Sequence, residues 1–210
     1  LYFQYRHNAP LSRRIDPGTT NIIDIYLVTQ AYYIAYQNYV TDSTGTVPEP
    51  AQPTIDELTT SYSTLDQYKM ISDNIILNSA TFKPLFGTKA AVELRATLKC
   101  VKNPSSTASV SEIKSQVVSS LNTYFTIDNW DFGDTFFFSE LSAYLHDQLG
   151  SIISTVVLVP VDPLKSFGDL YEIRSQANEI FVNAATVNDV EVIDALTSSQ
   201  LRTASNSGVV

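Results

Sequence analysis

"VELRATLK", residues 92–99, alternates apolar and polar side chains without a break. Val92, Leu94, Ala96 and Leu98 fall on one side of an extended chain, and Glu93, Arg95, Thr97 and Lys99 on the other. Successive side chains of a strand point to opposite faces, so this is the pattern of a strand with one face buried and one in water. Cys100 continues the inward series and reads as a buried structural thiol. The loop "KNPSSTA" (102–108) ends the alternation, and Ser109 with Glu112 then has capping-box spacing. Val110, Ile113, Val117, Leu121 and Tyr124 recur at intervals of three and four, which predicts an amphipathic helix to about residue 125.

A second helix lies in "GDTFFFSELSAYLHDQLG" (133–150), with Leu141, Leu145 and Leu149 on one face. Ser139 is its expected N-cap and Gly150 its stop. "IISTVVLVP" (152–160) is apolar on both sides until Pro160, the composition of a central strand, and is expected to pair with 92–99. "NEIFVN" (178–183) and "VEVI" (190–193) read as shorter strands. Strand, helix, helix and then three strands describe an α+β domain over 87–194, with helices packed on one face of a mixed sheet.

Residues 9–86 read as a smaller strand–helix–helix unit. Ile23, Ile25 and Leu27 alternate at strand spacing, and Tyr32, Ala35, Tyr36, Tyr39 and Val40 then follow helical spacing. "DSTGTVPEPAQP" (42–53) is a proline-rich loop, semi-rigid in its second half. Thr54 and Glu57 are spaced as a capping box for a helix whose Ile55, Leu58, Tyr62 and Leu65 form a narrow seam, expected to dock on a neighbouring helix. "LYFQ" at the start resembles the end of a protease-cleavable tag, so residues 1–8 are set aside as tag remnant and leader, and 195–210 as a C-terminal tail.

Composition narrows the function classes. A formal charge of −9 argues against nucleic-acid binding, which needs a basic face for phosphates. No apolar run approaches the roughly 20 residues of a membrane span. One cysteine excludes an intramolecular disulfide and a multi-cysteine zinc site. Dinucleotide, P-loop, nucleophile-elbow and zincin motifs are all missing from the sequence. His146 neighbours Asp147 on the helix, but consecutive helical residues point in different directions, so it reads as a surface residue. Asp128, Asp131, Asp134 and Glu140 crowd one region, yet a calcium loop needs about six to eight oxygens at fixed positions. The expectation is a non-enzymatic chain without a metal or other cofactor.

Aromatic residues carry the remaining signal. Five tyrosines lie between Tyr26 and Tyr39, and Trp130, Phe132, Phe136, Phe137 and Phe138 fall within nine residues. Consecutive phenylalanines cannot all face one core, so at least one is expected to meet another element or another subunit. The candidate interface residues are Tyr32, Tyr33, Tyr36 and Tyr39 on the tyrosine helix, and Trp130, Phe136, Phe137 and Phe138 at the joint. The tyrosine helix is slightly favoured, because an internal core can consume the phenylalanines.

Four stretches in order, "SRRIDPGTTNIIDIYLVT" (12–29), "GDTFFFSELSAYL" (133–145), "TVVLVPVDP" (155–163) and "NEIFVNAATVNDVEV" (178–192), together resemble the C-terminal part of T-even-type baseplate wedge proteins. These belong to the baseplate J-like family of contractile-tailed bacteriophages. The resemblance covers most of residues 10–194 and implies a structural virion protein without catalytic residues. Such a protein is assembled in the host cytoplasm, self-associates as a homodimer, contacts other baseplate wedge proteins and helps form the inner ring around the tail hub. The alternative expectation, from another class, is a carbohydrate- or receptor-binding domain that uses exposed tyrosines.

Overall fold

The structure, a computed structural model, describes residues 22–64, 74–162, 164, 167–168 and 170–193. The leader, the tail, Leu65 and the "SRRIDPGTT" part of the first resembling stretch lie outside the described residues. The chain has an α+β fold in two units, Leu1–Tyr39 with Thr46–Thr81, and Val40–Gly45 with Phe82–Val210.

In the first unit, β1 (Ile22–Leu27) pairs in parallel with β2 (Asn74–Ser79), a strand the sequence pattern did not reveal. Two helices lie between them in the chain, α1 (Gln30–Thr41) and α2 (Ile55–Ser61). Thr54 caps α2 with both halves of the box: its hydroxyl accepts from the Glu57 N–H, and the Glu57 carboxylate accepts from the Thr54 N–H. Leu58 is fully buried against Ile25 and Leu27, with Tyr62 and Leu77 beside them. The α2 helix therefore docks on the small sheet rather than on a helix, and Ile55 of the expected seam faces water. The Tyr62 hydroxyl donates to the Val28 carbonyl, which ties the end of α2 to the end of β1.

In the second unit, β4 (Ala96–Lys102) runs antiparallel to β6 (Ile153–Pro160) and parallel to β9 (Val190–Ile193). The pairing of the two long strands is as the sequence predicts, with Leu98 opposite Leu158 and Cys100 opposite Val156. Lateral order differs: β4 is central and β6 lies at the edge of this sheet. An apolar composition records what covers a strand's faces, not how many neighbours it has. Two helices pack on the sheet, α3 (Val110–Tyr124) over β9 and α4 (Phe138–Leu149) over β6. Their stripes, Ile113, Val117 and Leu121 on one and Leu141, Leu145 and Leu149 on the other, are buried as the spacing predicts. Ser109 caps α3 through the Glu112 N–H alone.

The strand begins later than its alternation. Residues 92–94 form a single turn of 3-10 helix, and Val92 points outward. The turn is closed by the Leu94 N–H on the Ala91 carbonyl and the Arg95 N–H on the Val92 carbonyl. Phe86 bridges its end: its N–H donates to the Leu94 carbonyl and its carbonyl accepts from the Ala96 N–H. Phe86 has a left-handed φ of 78°. A bulky residue holds such a conformation only where its surroundings over-determine it.

Two short pairings complete the unit: β3 (Thr81–Leu85) with β8 (Glu179–Asn183), and β5 (Thr135–Phe137) with β7 (Glu172–Arg174). Lys83 links these layers, donating to the Arg174 carbonyl and to the Glu179 carboxylate, both at 3.0 Å. The one fully buried polar residue among those described, Asn183, donates to the Asn122 side chain and accepts from the Ala185 N–H. Buried polar groups without partners are costly, so this pair holds β8 to α3.

Cys100 lies in the middle of β4 with no exposure, and burial pushes its thiol up to about 12. Alkylation requires the thiolate, so the native chain should react with iodoacetamide orders of magnitude more slowly than the chain in denaturant. The same shift has a sign for stability. The contribution is complete below the ordinary thiol value of 9.0 and declines as pH rises towards about 12, because the unfolded thiol then loses its proton more readily. Fast labelling under native conditions at neutral pH would contradict the placement.

Candidate interaction surface

The phenylalanine run turns on strand alternation. Phe136 and Phe137 both belong to β5, so their side chains point to opposite faces. Phe136 is fully buried, whereas Phe137 is 37% exposed. Phe138 opens α4, so Phe137 and not Ser139 is the N-cap residue, and no side chain caps this helix end. The Phe138 N–H, an orphan donor of the first turn, instead reaches the carbonyl of Tyr171.

Inside, Phe136 meets the rings of Phe86, Phe125, Trp130, Phe167 and Phe181 with centroids 5.8–6.3 Å away. Phe86 and Phe167 are stacked, as are Phe125 and Trp130. The Trp130 indole N–H donates to the Tyr124 carbonyl at 2.9 Å, which satisfies its only polar atom. This cluster joins the C-terminal end of α3 and the residue after β3 to the middle of β5 and of β8. Two of the expected interface residues, Trp130 and Phe136, are therefore core. Phe136 is spent inside because β5 turns one face of the run inward, whereas Trp130, in the loop before β5, is stacked on Phe125 and keeps 9% of its surface exposed.

Outside, Phe137 has company. Leu170 is 98% exposed and Tyr171 is 42% exposed, and both have left-handed backbone, with φ of 54° and 61°. The Phe138 and Tyr171 rings lie 6.1 Å apart. With Phe137, Ser139 and Ser142 they border an open cavity of about 370 Å³. The turn is held from both sides. Glu172 is in register with Phe137, and Gly168 packs so closely that a Cβ there would lie 2.1 Å from the Glu172 carbonyl oxygen. Left-handed backbone at Leu and Tyr costs of the order of 1 kcal/mol each. The strained turn leaves a leucine fully in water beside two aromatic rings. The sequence pattern did not single out Leu170 or Tyr171.

The tyrosine helix is different. Tyr32 and Tyr36 are buried and Tyr33 and Tyr39 half-buried, while Ile34 is the exposed large apolar residue of α1. Tyr36 meets both Tyr32 and Tyr39 edge-on, at 6.0 and 5.7 Å. Burial, and next the charge of Glu49, push the Tyr36 hydroxyl well above its usual range. Tyr32 and Tyr36 are thus a packed face of α1 and do not present area to a partner. Their helical spacing is the ordinary signature of a buried stripe.

Of the groups weighed for chemistry, His146 is exposed in the last turn of α4, and Asp128 and Asp131 are exposed. The Asp134 carboxylate accepts from the Asp131 N–H at 2.7 Å, so this Asp pair closes a turn. Among the described residues no group of three or more His, Cys, Asp or Glu side chains is placed to hold a metal ion. No described helix is long and apolar enough to cross a membrane. No protein-family model matches the chain, and no curated protein matches it.

Proposed function

We propose that this chain is a structural module of a contractile-tail phage baseplate wedge, one that self-associates and meets other wedge proteins in the inner ring around the tail hub. The observation that carries the reading is the surface of Phe137, Leu170 and Tyr171, where strained backbone holds apolar side chains in water. Contiguous exposed apolar side chains mark interaction sites more often than chance solvent contact. The four resembling stretches supply the kind of assembly. In this role the chain performs no reaction, binds no cofactor and resides in the virion tail. The glycan- or receptor-binding alternative relied on exposed tyrosines, and burial of Tyr32 and Tyr36 weakens its basis.

Sedimentation velocity of the chain over a range of concentrations tests the proposal. The expected result is a monomer–dimer equilibrium, with dimer prominent at tens of micromolar. A concentration-independent monomer, together with a saturable glycan-induced difference spectrum, would replace it with the alternative.

A further inference from the structure

A second opening in the same unit has a different chemistry. Tyr124 at the end of α3, Trp130 in the following loop and Tyr144 on α4 line a cleft of about 480 Å³, together with Asn129, Asp134 and Glu140. The rings form a continuous wall: Tyr124 lies 5.6 Å from Trp130 and 5.1 Å from Tyr144. Glu140 and Tyr144 are one helical turn apart on α4, so they share a face. Asp134, immediately before β5, also lines the cleft, with one carboxylate oxygen engaged by the Asp131 N–H. The Glu140 carboxylate has no hydrogen-bond or ion-pair partner among the described residues, and no cationic side chain lines the cleft. The cleft thus combines three π systems with two carboxylates and no positive charge.

We propose that this cleft binds the guanidinium of an arginine side chain presented by a partner protein. A guanidinium is planar, stacks on aromatic rings and offers paired N–H donors to a carboxylate, which an ammonium does not. A neutral sugar could stack on the rings and donate hydroxyls to the carboxylates but brings no charge to match theirs, and an anion would be repelled. The net charge of −9 draws a basic segment towards the whole molecule as well as to this site. Burial, and then the nearby Glu140 carboxylate, push the Tyr124 hydroxyl up to about 12. The inference does not depend on baseplate membership or on the apolar surface at Leu170.

Trp130 is the chain's single tryptophan and lines the cleft, so its fluorescence reports on this site. Titration of the full chain with N-acetyl-arginine amide should give a saturable change, with a dissociation constant on the order of 1 mM for one side chain. The neutral isostere N-acetyl-citrulline amide should bind at least about fivefold more weakly, and the lysine analogue should fall between them. Glu140→Gln, at an exposed position, should melt like the parent and weaken arginine binding by about fivefold. Tyr144→Leu should weaken it comparably while leaving citrulline little changed. The proposal is overturned if arginine and citrulline respond alike, if Glu140→Gln binds arginine as the parent does, if no saturable change occurs, or if glucose saturates the signal and arginine does not.

Discussion

Replacing Phe136 by alanine should lower the unfolding free energy by about 3–5 kcal/mol, the cost of removing a fully buried aromatic ring. Five other rings surround it and no solvent reaches it. A domain of this kind is stable by only about 5–15 kcal/mol, so the variant should sit near its unfolding threshold. Urea denaturation followed through Trp130 reads the effect directly, because the two rings lie 6.3 Å apart. Phe137→Ala supplies the contrast: one residue along β5 and on the outer face, it should cost no more than about 1 kcal/mol. Equal losses at the two positions would contradict the alternation that assigns one ring to the core and its neighbour to the surface.

Gly87→Ala should be similarly damaging for a different reason. A Cβ at Gly87 would stand 1.7 Å from the Ala184 carbonyl oxygen and 2.6 Å from its carbon. Both atoms are backbone, and they cannot move aside freely because the Ala184 N–H donates to the Leu85 carbonyl at 3.0 Å. Adding one methyl group therefore forces β3 away from the end of β8, beside the strained Phe86. Overpacking of this kind costs about 3 kcal/mol where only backbone can yield. The check is chemical denaturation against the parent, with the slope unchanged and the midpoint lowered. A loss below about 0.5 kcal/mol would mean that the corner relaxes and that the close approach does not constrain the fold.

How far the sequence discloses this architecture depends on whether the signal is local. The pairing of β4 with β6 and the two buried leucine- and valine-rich helix stripes are legible, because each buries one face over seven or more residues. The strands β5 and β7 are three residues each and exist only because they pair with one another. No window of sequence contains both, so neither shows a period. In β3, Pro84 argues against a strand, and its tolerance follows from the strand's having a single partner. The start of β4 is misplaced by the alternation itself, since Val92 and Leu94 continue the pattern while residues 92–94 close into a 3-10 turn on the Ala91 and Val92 carbonyls.

The surface was half legible. A run of three phenylalanines implies that one must face outward, and Phe137 does. Leu170 and Tyr171 could not be foreseen, because neither residue type signals a left-handed backbone. The tyrosine stripe misleads in the opposite direction. Large amphipathic rings suit an interface and a packed helix face equally, and only the solvent exposure of Tyr32 and Tyr36 separates the two.

The claim that the surface around Leu170 carries self-association is tested most directly by sedimentation equilibrium of Leu170→Glu beside the parent. Leu170 is 98% exposed, so the substitution should leave the melting transition within about 0.5 kcal/mol of the parent. In a twofold contact the same patch occurs on both subunits, and each dimer then holds two misplaced charges. The parent should show a monomer–dimer equilibrium and the Leu170→Glu chain should remain monomeric at the same concentration. A variant that dimerises as tightly as the parent would place the contact elsewhere and contradict the account.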